Sequence, residues 1–141
     1  MSELTLTVKR TIPAPQEKVF DAWLDARMLA KFMRPGTDVS VPKAETDARE
    51  GGRFSILMLA GDKEIPHAGT YLEVTPHSRI VFTWESPYST DDSTVTLDFT
   101  AAGDDATDIA LTHVKFPSEE SRDNHKGGWT AILDTLATAF G

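Results

Sequence analysis

The C-terminal segment carries one apolar stripe, and that stripe limits what the rest of the chain can be. Trp129, Ile132, Leu133, Leu136 and Phe140 recur at helical spacing, while Asp134, Thr135 and Thr138 fall off the stripe. An amphipathic helix of this kind has to lie on an apolar surface built by the residues before it. Gly127-Gly128 sits one turn ahead of the stripe, and each glycine in a helix interior costs about 1 kcal/mol relative to Ala. A close backbone approach, a kink or a cavity mouth would account for that cost.

The preceding residues read as the strands that supply the surface. Leu4, Leu6, Val8 and Ile12 alternate with Thr5, Thr7, Lys9 and Thr11, the period of a half-buried strand. Pro13-Ala14-Pro15 ends it, with Pro15 suited to the first position of a short helix whose face is Val19, Phe20, Trp23 and Leu24. Asp25 is an N-cap for a second short helix carrying Met28, Leu29 and Phe32, closed by Arg34-Pro35-Gly36. Period-two segments then follow near 37–44, 52–60, 67–75, 79–86, 93–101 and 107–115. The turns between them fall at Glu50-Gly51-Gly52, Gly61-Asp62, Thr75-Pro76-His77-Ser78, Asp91-Asp92 and Gly103-Asp104-Asp105, short enough for an antiparallel meander. Gly51-Gly52 reads as a hairpin that needs positive φ, and Ser118 caps the final helix with Glu119 and Glu120 at its positive end.

Composition narrows the function classes. A chain of 141 residues with 40% hydrophobic content fits one domain over 1–141 with a sizeable core. It has no cysteine, which excludes disulfides, thiolate metal sites and cysteine nucleophiles. A net charge of -8 argues against a nucleic-acid partner and serves solubility. The N-terminus shows no charged leader before an apolar run, and the longest apolar stretch, Ile56 to Ala60, is too short to span a bilayer. The expectation is a soluble, cytoplasmic protein with no membrane span.

The order of elements, with Pro13-Ala14-Pro15, Val19-Phe20-Asp21-Ala22-Trp23, Gly51-Gly52-Arg53-Phe54, Gly69-Thr70-Tyr71-Leu72-Glu73-Val74, Ile80-Val81-Phe82-Thr83-Trp84 and Gly128-Trp129, resembles the START-like helix-grip (SRPBCC) superfamily. Within it the chain is most similar to the branch named for the C-terminal domain of the activator of the Hsp90 ATPase. The resemblance covers almost the whole chain. It implies an α+β fold: a seven-stranded curved antiparallel sheet gripping a long C-terminal helix, two short helices after strand one, and an apolar cavity between sheet and helix. Many relatives carry a tryptophan pair after the second short helix, where this chain has Phe32-Met33-Arg34-Pro35. A methionine there gives a more adaptable rim.

Residue parity supports an apolar inner face independently. Phe54, Ile56 and Met58, then Ile80, Phe82 and Trp84, then Val95, Leu97 and Phe99, then Ile109 and Leu111 each share one side of a strand. Arg53, Ser55, Arg79, Thr83, Thr94, Thr96 and Asp98 occupy the other, wet side. Such a face admits two readings, a core filled by its own side chains or a ligand cavity. In the second, Phe32, Phe54, Met58, Tyr71, Phe82, Trp84, Leu97, His113, Trp129 and Leu133 are the ligand-binding residues. By parity Tyr71, Glu73, Arg10 and His113 are the polar anchors; the bland alternatives are a satisfied buried histidine for His113 and an ion pair or solvated rim for Glu73 and Arg10. His125, one turn before Trp129, is expected to meet His113.

No catalytic, phosphate-binding or dinucleotide motif occurs, and the histidines at 67, 77, 113 and 125 lack metal-ligand spacing, so neither cofactor nor metal is expected. Three functions remain. The first is a non-catalytic module binding a small hydrophobic or aromatic molecule. The second is a chaperone-associated stress-response interaction domain. The third is a polyketide cyclase/aromatase-like enzyme using His113 with a pocket carboxylate. A homodimer is the prior for a soluble chain of this size.

Overall fold

Seven strands join into one antiparallel sheet because each presents a single apolar face that only the same concave interior can cover. The computed structural model describes residues 4–33, 39–85, 93–116 and 118–140. In chain order the elements are β1 (Thr5–Ile12), α1 (Gln16–Ala22), α2 (Ala26–Phe32), β2 (Val39–Thr46), β3 (Arg53–Ala60), β4 (Lys63–Thr75), β5 (Arg79–Thr83), β6 (Thr94–Ala101), β7 (Thr107–Val114) and α3 (Glu119–Phe140). The strand order is β1-β7-β6-β5-β4-β3-β2, so the two short helices are the excursion that carries the chain from one sheet edge to the other. The sheet curls and α3 packs on it: this is the helix-grip α+β fold.

The expected inner face is the one that is buried. Phe54, Ile56, Met58, Ile80, Phe82, Trp84, Val95, Leu97, Phe99, Ile109 and Leu111 all enter the core, where Trp129, Ile132, Leu133 and Leu136 of α3 meet them. Burying each such side chain stabilises the fold by about 1.5–3 kcal/mol. That surplus lets α3 carry Gly127, which has open space where a side chain would stand. No packing reason for Gly127 appears there, and the helix runs without interruption from Glu119 to Phe140. Ser118 caps it as expected, its Oγ accepting from the Ser121 amide at 3.1 Å. Asp25 likewise caps α2 by accepting from the Arg27 amide at 2.9 Å. Pro15 lies one place earlier than expected, at the N-cap of α1 rather than inside it.

The strand bounds differ from the sequence reading most at the start of β4 and the end of β5. β4 begins at Lys63 rather than at 67, because the hairpin pairs Ala60 directly with Lys63 and the ladder continues through exposed polar residues and Pro66. β5 stops at Thr83; beyond it the Trp84 amide bonds to the Ser93 carbonyl, and Glu85 forms an isolated bridge with Ala68. The expected closures at Arg34-Pro35-Gly36 and Asp91-Asp92 lie outside the described residues. Gly51 has φ +85° at the turn before β3, as its hairpin requires.

Candidate functional site

β4 is long because it serves two ladders in succession. Lys63 to Thr70 pairs with β3, and Tyr71 to Thr75 pairs with β5. Near this junction Gly69 lies opposite Phe54, and a Cβ there would run into the Thr83 carbonyl and the Phe54 ring. The missing side chain is what lets Phe54 lie over the strand. A bulge follows: Tyr71 pairs with Phe82, but Glu73, not Leu72, faces Val81. Period-two parity is lost across the bulge, so Tyr71 points inward while Glu73 leaves the inner face and accepts from Thr75 Oγ1 at 2.7 Å. The expectation that Glu73 shares the inner side with Tyr71 is corrected accordingly. Leu72, the extra residue, is 54% exposed.

Against this seam α1 and α2 close an aromatic box. Trp23, Leu29 and Met33 from the helical side and Phe54, Ile56, Tyr71, Phe82 and Trp84 from the sheet surround a void of about 10 Å³. Phe54 stands edge-on to Phe82 with ring centroids 5.2 Å apart and lies 5.3 Å from Tyr71. Trp23 packs edge-on to Phe32 at 4.9 Å. Burial pushes the Tyr71 phenol upward, and the charge of Asp47 adds to it, so the hydroxyl stays neutral. Trp23 and Trp84 are each 3% exposed, and the indole N–H of each is buried with no hydrogen-bond partner among the described residues. An unsatisfied buried donor costs about 1–3 kcal/mol, and the two residues that carry these donors line the same void.

Next to the box lies a buried polar cluster. Trp129 Nε1–H donates to His113 Nδ1 at 3.0 Å, so the ring proton sits on Nε2, which faces the Ser93 hydroxyl. Both imidazole nitrogens are thereby engaged. The rings of Phe116 and His125 lie 4.4 and 5.3 Å from His113, so the expected meeting of His113 with His125 takes place. Burial first, and then the proximity of His125, hold the His113 pKa at about 3. His67 stacks 4.9 Å from Trp84, and burial lowers it to about 4. With Nδ1 occupied and Nε2 protonated, His113 has no lone pair to offer a substrate.

The rim is ionic and exposed. Arg10 shares β1 with Leu6, Val8 and Ile12, yet its guanidinium turns out to Asp134 of α3 at 3.0 Å, which corrects its reading as an inward anchor. A guanidinium keeps its charge, and an ion pair at the rim spares it the desolvation the cavity would impose. Arg53 pairs with Glu85 at 2.9 Å and also donates to Thr70 Oγ1, which pulls the Glu85 carboxyl below its usual range. Among the described residues no group of three or more His, Asp or Glu is placed to hold a metal, and no helix is long and apolar enough to cross a membrane.

Of the expected ligand-binding residues, Phe54, Tyr71, Phe82 and Trp84 line the void. Phe32, Met58, Leu97, His113, Trp129 and Leu133 are buried in the core beside it. Trp23, Leu29, Met33 and Ile56 line it as well and are additions from the structure. Their apolarity was legible; that α1 and α2, rather than α3, roof this part of the sheet was not.

A family model described as Activator of Hsp90 ATPase homolog 1-like protein matches residues 13–141. A protein of known crystal structure from Chromobacterium violaceum superposes with TM-score 0.84 at 28% identity, over 96% of both chains. The crystal structure of an HSP90 activator from Plasmodium falciparum superposes with TM-score 0.75 at 27% identity, over 96% of this chain and 95% of that one. An AHSA1-like protein from Aeromonas hydrophila, with a solution NMR structure, gives TM-score 0.82 at 23% identity, over 96% and 90%, a likeness of fold. No functionally curated protein matches the sequence.

Proposed function

We propose that this chain, which belongs to the Activator of Hsp90 ATPase homolog 1-like family, is a cytoplasmic, non-catalytic module that binds a small hydrophobic or aromatic molecule inside the helix grip. The observation that carries the reading is the aromatic box at the sheet seam, walled by Trp23, Phe54, Tyr71, Phe82 and Trp84 and left with a void at its centre. Apolar walls with few polar groups are what a lipophilic guest requires. The void of about 10 Å³ holds no more than one water. Binding therefore works by displacement, and the side chains able to give way are Leu29 on α2 and Met33 at its C-cap, the latter unbranched and adaptable. The cyclase alternative lacks its base, because both nitrogens of His113 are spoken for.

Native mass spectrometry of the protein purified gently from its own cells, set against the denatured protein, tests the reading. Extra mass lost on denaturation is the expected result. A bare mass, together with unchanged melting across a broad lipophile panel, would overturn it. A guest at about 100-fold over its dissociation constant stabilises by roughly 2.7 kcal/mol, well within detection.

A second reading is an interaction domain for the heat-shock chaperone. It is favoured by the description of the matching family and by the likeness to the Plasmodium falciparum HSP90 activator. Retention of the purified chaperone on the immobilised protein, with a change in its ATPase rate, is the expected outcome. Loss of both would remove this reading.

A further inference from the structure

The two unpartnered indoles say something about the guest that apolar walls alone do not. An indole nitrogen only donates, so the Trp23 and Trp84 N–H groups are satisfied only by an acceptor that none of the described residues supplies. Besides them, the wall offers the Tyr71 hydroxyl and the Met33 thioether; the rest is hydrocarbon or aromatic ring. Among the described residues none that lines the void is cationic, so these walls offer a carboxylate or phosphate no countercharge. Donors in excess, no positive charge among the described lining residues and apolar walls together select a neutral oxygen on an apolar body.

We infer that the seam void is the seat of a neutral hydrogen-bond acceptor, and that the molecule bound here is an aromatic-sized apolar compound whose carbonyl-type oxygen is received by the indole N–H groups of Trp23 and Trp84. This inference rests on the binding function proposed above and names its ligand class. The present void fits one oxygen-sized atom, whereas a benzene-sized body needs roughly 150 Å³. The oxygen thus takes space that already exists, and the body of the molecule takes the space that Leu29 and Met33 vacate. A single trapped water is the rival occupant, since it too can accept from buried donors.

The test uses the full chain labelled with ¹⁵N and two probes of nearly the same shape, acetophenone and α-methylstyrene, in which an oxygen replaces a methylene. The chain has three tryptophans, and the indole of Trp129, already bonded to His113, is an internal reference. Acetophenone should move the Trp23 and Trp84 indole signals downfield, leave Trp129 in place, and bind roughly 5- to 30-fold more tightly than α-methylstyrene, the equivalent of one or two neutral hydrogen bonds. Trp84→Phe and Trp23→Phe should each narrow that preference while both probes still bind. Equal affinity of the two probes would overturn the acceptor assignment and leave apolar binding standing. Binding of neither would overturn both. Cross-relaxation from the Trp23 and Trp84 indoles to a long-lived water that persists at saturating acetophenone would also overturn it, because a fixed water would then be the acceptor.

Discussion

Acidification should cost this fold stability through His113, and the size of the loss follows from its surroundings. In the folded protein burial and the nearby His125 hold the imidazole pKa at about 3, against 6.5 for a free side chain. Between those values the unfolded chain takes up a proton that the folded one refuses. Stability is therefore complete above about pH 6.5 and falls by about 1.4 kcal/mol per pH unit below it, until the folded pKa is reached. At pH 5 the loss from His113 alone is about 2 kcal/mol. The geometry agrees in sign, since a second ring proton on Nδ1 would point at the Trp129 N–H that now donates to it. His113→Gln isolates the effect: its carbonyl can accept from Trp129, its amide can donate to Ser93, and it does not titrate. Urea unfolding of both proteins at pH 7.5 and pH 5, followed by tryptophan fluorescence, should show the wild-type advantage shrinking by about 2 kcal/mol on acidification. Parallel pH dependences would refute the argument, because carboxylates and His67 contribute equally to both proteins.

Two further substitutions probe what shapes the box. Gly69→Ala should destabilise by about 3 kcal/mol or more, since the new methyl meets backbone at Thr83 as well as the Phe54 ring; an unchanged urea midpoint would show that the strand can step aside. Asp25→Ala removes the cap of α2, for a loss of about 1 kcal/mol, and should speed amide exchange within Ala26–Phe32 while leaving β6 and β7 protected; uniform acceleration would mean that α2 does not open separately.

The strand faces were legible because the alternation of apolar residues is itself a burial pattern. Ile80, Phe82, Val95, Leu97, Ile109 and Leu111 needed nothing beyond period two to be placed. Asp25 and Ser118 were legible as caps because their side chains act on amides only a few residues away. Parity failed where the backbone slips. Glu73 sits one residue beyond a bulge that no residue type near Leu72 announces, and Arg10 escapes its face because a long side chain can reach a partner on α3. Trp23 and Met33 became walls of the box through the packing of two short helices over the seam, a long-range arrangement with no local signature. The His113 network was half visible: its meeting with His125 followed from helical spacing, but the bond from Trp129 depends on how α3 is rotated about its own axis.

The way β4 is shared has a mechanical meaning. One leaf of the sheet is β2, β3 and the first part of β4; the other is the remainder of β4 with β5, β6, β7 and β1. The leaves share β4 like pages at a spine, stitched across it by the Ala68–Glu85 bridge and by the backbone bonds of Gly51 and Gly52 to Tyr71, and the Arg53–Glu85 clasp ties them through exposed side chains. The clasp is an exposed ion pair and hence screened by salt, so rising ionic strength weakens this side-chain tie and leaves the backbone bonds to hold the spine together.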